Sequence, residues 1–206
     1  MDTWVAIDEE RKDTLALLES LEPVQWDVPS LCAEWKVRDV VAHLTMAATM
    51  SGASAVSLLL RNGLNFNRAM ARSAREQGRA DPAQLRDAFA ATIGGRSKPP
   101  MTKPLDNLVD VVVHAQDIRR PLDIPRVIPE ARLVPCLDRL KGYGFPFGAK
   151  KRVAGLRLEA TDFDWASGEG PVVQGPGEVI LLMLAGRRVV LGELSGDGAA
   201  VLATRG

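Results

Sequence analysis

Residues 105–122, LDNLVDVVVHAQDIRRPL, are almost wholly apolar yet carry two carboxylates and an imidazole in register, and few folds accommodate that combination. At about 100° per residue, Asp110, His114 and Asp117 fall within an arc of roughly 60° on a helix. Leu108, Val109, Val111, Val112, Val113 and Ile118 occupy most of the remaining circumference, which is the pattern of a helix buried on nearly all sides. Buried charges need partners, because an unpaired one is costly enough to force neutralisation. A metal ion is one such partner: Asp at i and His at i+4 can grip a single divalent ion from one helix face. A third ligand must then come from another segment, and the only other histidine in the chain is His43.

His43 falls in a second helical pattern. Val37, Val40, Val41, Leu44, Ala47 and Ala48 recur at helical spacing, and the pattern is expected to run on to the region of Leu60. His43 sits on the flank of this stripe, where it is either a hydrogen-bonded boundary residue or a ligand pointing into a bundle interior.

The rest of the chain reads as helices followed by a mixed segment. Ile7, Thr14, Leu15, Leu18 and Leu21 mark an amphipathic first helix over residues 2–21 that stops before Pro23. Residues 26–35, WDVPSLCAEW, are aperiodic and read as a structured loop packed on the core. Asn62 and Gly63 break the second helix, and residues 66–77 follow with Arg68, Arg72 and Arg75 on one face. That face is either a solvated stripe or a basic wall for anionic groups of a substrate or cosubstrate. Asp81 and Pro82 cap a further helix to about Ile93, and the connector SKPPMTKP precedes the central helix. Pro129 opens another apolar helix to about Leu140, and the glycine-rich KGYGFPFGAKK suggests a domain boundary near Lys150. From Val153 onward RVAGLRLEATDFDW alternates like a strand, GEGPVVQG turns into a second, Pro176 starts a short helix ending at Gly186, and VVLGEL again reads as a strand. The expected organisation is therefore residues 1–150 as a helical unit and 151–206 as a small α+β unit.

Composition excludes several function classes. Lys plus Arg and Asp plus Glu balance at 26 each, which argues against a nucleic-acid partner or a polybasic membrane patch. The acidic start MDTWVAIDEERKD does not have the layout of a signal peptide, and no apolar run approaches membrane-spanning length, so a cytoplasmic location is expected. Cys32 and Cys136 lie in neither C-x-x-C nor zinc-ribbon spacing. Both read as reduced, packed thiols, poor candidates for a catalytic nucleophile.

The motifs SLCAEWKVRDVVAHL, DVVVHAQDIRRPL and the tail GLRLEATDFDW to LAGRRVVLGELSGDG together resemble the mycothiol-dependent maleylpyruvate isomerase family of the DinB-like superfamily. The resemblance implies a mainly α fold, a DinB-like four-helix bundle with a small C-terminal α+β domain. It also implies a divalent metal, usually zinc, held by His43, Asp110 and His114, with mycothiol as cosubstrate. This sequence departs from the family pattern in carrying Asp where the acidic ligand is usually Glu. Three protein ligands leave a coordination position open, as reactive zinc sites do. Asp117 matches a family position that assists the thiol chemistry or positions the cosubstrate, and Arg187 matches an arginine that holds substrate carboxylate. The implied activity is thiol transfer to a small-molecule electrophile, or cis–trans isomerisation through a thiol adduct. A metal-binding or ligand-sensing module without turnover is the alternative.

Overall fold

The computed structural model describes residues 2–99, 102–144 and 147–205. Pro100 and Met101 of the proline-rich connector, and Phe145 and Pro146 of the glycine-rich stretch, lie outside the described residues. The chain divides into two compact units, residues 1–126 and 127–206.

In the first unit α1 (Thr3–Ser20), α2 (Val37–Thr49), α5 (Pro82–Ala90) and α6 (Pro104–Arg119) form a four-helix bundle. Each of these helices packs on two of the others, α1 on α5 and α6, and α2 on the same pair. α6 is the helix expected at the centre. Pro104 occupies its first turn, and the Asp106 carboxylate accepts the Lys103 N–H at 2.7 Å. Apart from Asp110, every residue from Asn107 to Ile118 is buried. α1 buries Ala6, Ile7, Thr14, Leu17 and Leu18; of the stripe expected from its periodicity, Ile7, Thr14 and Leu18 are buried, whereas Leu15 and Leu21 are half-buried.

Two further helices, α3 (Gly52–Arg61) and α4 (Phe66–Gln77), complete the unit. The single helix expected from Val37 toward Leu60 is in fact two. Met50 is extended, at φ −64° and ψ 124°, and Ser51 caps a new helix by accepting the Ser54 N–H at 3.2 Å. A serine before a glycine offers the backbone that alternative, and the periodic pattern gave no sign of it. α4 packs on α2 and α3, outside the four-helix core. At its C-terminal end, a Cβ added to Gly78 would lie 2.2 Å from Asp39 Oδ1 and 3.1 Å from Asp39 Cα, so a larger residue there would force Asp39 to shift.

The second unit is a small α+β fold. Strands β1 (Arg157–Ala160), β2 (Ala166–Ser167) and β3 (Val172–Gly175) form a sheet in the order β2-β1-β3, with β2 antiparallel and β3 parallel to β1. Gly168 follows β2 at φ +86°, so close to Leu156 that a Cβ would meet its carbonyl oxygen at 2.3 Å. That explains the GEG turn chemistry. Among the described residues, four α-helices accompany the sheet: α7 (Glu130–Leu140), α8 (Ala149–Arg152), α9 (Gly177–Leu184) and α10 (Asp197–Ala203).

Two expectations are corrected in this unit. The boundary falls after Arg126 and not near Lys150, because α7 buries Leu133, Cys136, Leu137 and Leu140 and packs on α9. The strand expected at VVLGEL is a 3-10 helix over Arg188–Glu193. On the edge of β3 away from β1, Ser195 exchanges two 2.8 Å bonds with Gln174 as an isolated bridge, and α10 packs against β3.

Arginines finish the helices here. Arg152 Nη1 donates to the Met183 and Leu184 carbonyls at the end of α9, and Arg205 Nη1 to those of Arg152 and Ala154 after α8. Arg188 donates to the carbonyls of Ala203 and Arg205 after α10. A guanidinium placed on the last carbonyls of a helix also complements the negative end of the helix dipole. Among the described residues, no helix is long and apolar enough to cross a membrane.

Candidate metal centre

α2 and α6 bring His43, Asp110 and His114 together. His43 Nε2 is 3.4 Å and His114 Nε2 3.5 Å from the same oxygen, Asp110 Oδ1. The three ligating atoms lie within 4.8 Å of one another. Zinc bonds of about 2.0–2.2 Å place neighbouring ligand atoms of a tetrahedral ion roughly 3.3–3.6 Å apart, so both separations match the edge of a coordination polyhedron. Both are long for a hydrogen bond to a carboxylate, which closes to about 2.7–2.9 Å when charge-assisted. The set of two imidazoles and one carboxylate therefore fits a divalent ion, and its nitrogen content suits zinc and the later transition metals better than magnesium or calcium.

The surroundings hold the two rings differently. His114 Nδ1 lies 2.7 Å from Asp117 Oδ2, and Asp117 is fully buried. A carboxylate at that distance accepts the Nδ1 proton and leaves the Nε2 lone pair for an ion. His43 Nδ1 is buried without a hydrogen-bond partner, so the only polar outlet of this ring is Nε2, toward Asp110. Packing holds it instead: its ring centroid is 5.0 Å from Trp35 and 4.8 Å from His114. Trp35, itself buried, also lies 6.0 Å from His114 and covers the pair of imidazoles with an apolar surface.

The other sequence-derived residues are placed as follows. Asp117 touches His114 on the side away from Asp110, so it acts through that ring. Arg68, Arg72 and Arg75 are exposed on α4. Arg72 Nε pairs with Glu76 at 2.7 Å and Arg75 Nη1 with Glu34 at 3.1 Å. Arg187 belongs to the second unit, half-buried after α9, and its Nη1 donates to the Ala185 carbonyl at 2.8 Å.

Two further residues stand beside this cluster, Cys32, which sequence reasoning set aside, and Arg11, which it did not single out. Cys32 is only half-buried, with Sγ 3.8 Å from His114 Nδ1 and 3.5 Å from Asp117 Oδ2, which corrects the expectation of a thiol packed away from the chemistry. Cys136, by contrast, is fully buried in α7 as expected. Arg11, on α1, lines a narrow cleft with Asp110, Asn107, Leu44, Ala47, Ala48, Phe89 and Val111. It is 4% exposed, and its Nη1 donates to the carbonyls of Thr92 and Gly95. Burial lowers the pKa of its guanidinium, while Asp8 and Asp110 act to raise it. The only advance signal was a charged residue at a core position of the α1 stripe.

The chain shares its fold with the crystal structure of the mycothiol-dependent maleylpyruvate isomerase and with that of a histidine-to-alanine mutant of the same enzyme. In each case the identity is 14% and the TM-score 0.65, over 96% of this chain and 92% of the other. At that identity the likeness is one of fold. No curated protein matches the sequence significantly. The family described as the mycothiol maleylpyruvate isomerase N-terminal domain, by contrast, matches residues 7–119. That span holds His43, Asp110, His114 and Asp117 and more than half of the chain, so the protein belongs to the mycothiol maleylpyruvate isomerase N-terminal domain family.

Proposed function

We propose that the protein is a cytoplasmic, metal-dependent enzyme that uses mycothiol, catalysing thiol transfer to a small electrophile or cis–trans isomerisation through a thiol adduct. The observation that carries this reading is the convergence of two imidazole nitrogens on one Asp110 oxygen at metal-ligand spacing. His43, Asp110 and His114 would hold the ion. A divalent ion with an open coordination position lowers the pKa of a bound thiol, supplying a nucleophile at neutral pH.

The chain's own residues prepare that position. Asp117 keeps the proton on His114 Nδ1 and so directs Nε2 toward Asp110. Trp35 covers the imidazoles and excludes water from that side, which strengthens every electrostatic interaction within. Asp110 in place of glutamate shortens the reach of the acidic ligand by one methylene. Arg187 is assigned to the carboxylate of the electrophile, which a guanidinium binds through two parallel hydrogen bonds. Arg68, Arg72 and Arg75, exposed on α4, are assigned an outer role in attracting anionic groups.

Elemental analysis of the purified chain together with a screen of low-molecular-weight thiols and unsaturated electrophiles tests the proposal. We expect about one equivalent of zinc or a similar ion, and turnover that requires added thiol. Arg187→Ala should keep the metal and lose roughly 100-fold in kcat/KM, the equivalent of about 2.7 kcal/mol of transition-state stabilisation. A protein that binds the ion but shows no turnover with any thiol and electrophile pair is a binding module, and the enzymatic reading fails.

A further inference from the structure

Cys32 lies in the loop before α2 and approaches His114 from the Asp117 side. Its Sγ is 3.5 Å from Asp117 Oδ2, and His114 Nδ1 is 2.7 Å from that same oxygen. Two side chains thus meet on one oxygen of a carboxylate that is fully buried.

Cys32, His114 and Asp117 are also chemically able to form a second metal seat, since their ligating atoms fall within 4.8 Å of one another. Distance decides between the two roles. The 2.7 Å between His114 Nδ1 and Asp117 Oδ2 is a charge-assisted hydrogen bond, well below the roughly 3.3–3.6 Å edge of a zinc polyhedron. The triad with Asp110 shows the opposite spacing.

The loop is built to deliver the thiol. Ser30 Oγ donates to the Trp35 carbonyl at 2.9 Å and accepts the Cys32 N–H at 3.2 Å. The Leu31 N–H donates to the Asp117 backbone carbonyl at 3.1 Å, tying the loop to α6. The same loop therefore carries Trp35 against both imidazoles and Cys32 next to His114 Nδ1.

We propose that Cys32 is a positioning residue for the metal centre: its S–H donates to Asp117 Oδ2 and holds that carboxylate in line with His114 Nδ1. A thiol is a weak donor, so it restrains the carboxylate without drawing away the charge that holds the imidazole proton. This inference rests on the metal-centre reading and adds to it a residue that touches neither ion nor substrate.

Chelator competition and cobalt(II) substitution in full-length Cys32→Ala and Cys32→Ser proteins test it. We expect Cys32→Ala to bind zinc at least about tenfold more weakly, with the midpoint of thermal unfolding of the metal-free protein unchanged. Cys32→Ser should stay within about threefold of the native affinity, because a hydroxyl can make the same bond. The cobalt(II) form of the native protein should show no thiolate-to-metal charge-transfer absorption. Native affinity in Cys32→Ala, or equal weakening in both variants, overturns the role, the second outcome pointing to packing alone. A charge-transfer band that disappears in Cys32→Ala overturns it in favour of a direct ligand. Failure of the native protein to bind zinc or cobalt would overturn the metal centre itself, whereas equal affinities remove only the part given to Cys32.

Discussion

Alanine in place of His114 should reduce bound metal from about one equivalent to below a tenth, and thiol-dependent turnover should fall to background with it. The substitution removes one of three ligand atoms and leaves only His43 Nε2 and Asp110 Oδ1 in reach of an ion. It also strips the fully buried Asp117 of the donor at 2.7 Å, which is unfavourable for a carboxylate in an apolar helix pair. Asp117→Asn provides the contrast. Its amide can donate to His114 Nδ1, which moves the imidazole proton to Nε2, so all three ligand residues remain while the lone pair turns away from the ion. Metal affinity should fall by about 10- to 100-fold in that variant, and elemental analysis with chelator competition measures both. Native metal content in His114→Ala would show that the ion, if bound at all, sits elsewhere.

Breaking the Glu10–Arg126 pair should destabilise the first unit by about 3–5 kcal/mol. Glu10 is fully buried on α1, and Arg126 reaches it with both terminal nitrogens, Nη2 at 2.7 Å from Oε2, while also touching Asp13 Oδ2 at 3.3 Å. The geometry is bidentate, which recovers through hydrogen bonds much of what both charges lost on leaving water. Glu10→Ala removes the buried carboxylate that this guanidinium, 8% exposed, meets with both terminal nitrogens. The unfolding midpoint should drop by roughly 10 °C for a chain of this size. The double variant Glu10→Leu, Arg126→Met should recover most of that loss, since two well-packed apolar side chains can replace a buried ion pair at little cost. Thermal and urea denaturation of the three proteins check this. A Glu10→Ala protein within about 1 kcal/mol of the native one would show that the pair contributes no more than a surface bridge does.

Short-range patterns carried much of this protein's organisation in the open. The all-round apolar character of α6 and the amphipathic stripe of α1 are one-helix properties that side-chain periodicity states directly. The start of α7 after Pro129 and that of α9 after Pro176 follow from the fixed φ and missing N–H of proline. Two members of the candidate metal centre share one helix face at i and i+4, and the scarcity of histidine pointed to the third. That is why His43, Asp110 and His114 were legible before any fold was known.

Other features depended on competition between segments. Whether the chain after Val37 runs on or breaks at Met50 turned on the capping that Ser51 offers against one more helical turn, a balance of about 1 kcal/mol that periodicity does not register. VVLGEL has strand composition, yet the edge of β3 bridges to Ser195 and α10 packs there, so a 3-10 turn forms. α7 joined the second unit because its apolar face found α9, a partner far along the chain. Cys32 and Asp117 are 85 residues apart, and nothing local to either announces their contact. Residue type and spacing along a helix are written in the chain, so the sequence alone pointed to the long buried helix and to His43, Asp110 and His114 as candidate ligands. Which loop closes over a buried carboxylate is decided by packing between distant segments, and only the tertiary structure placed Cys32 beside Asp117 and Trp35 against the imidazoles.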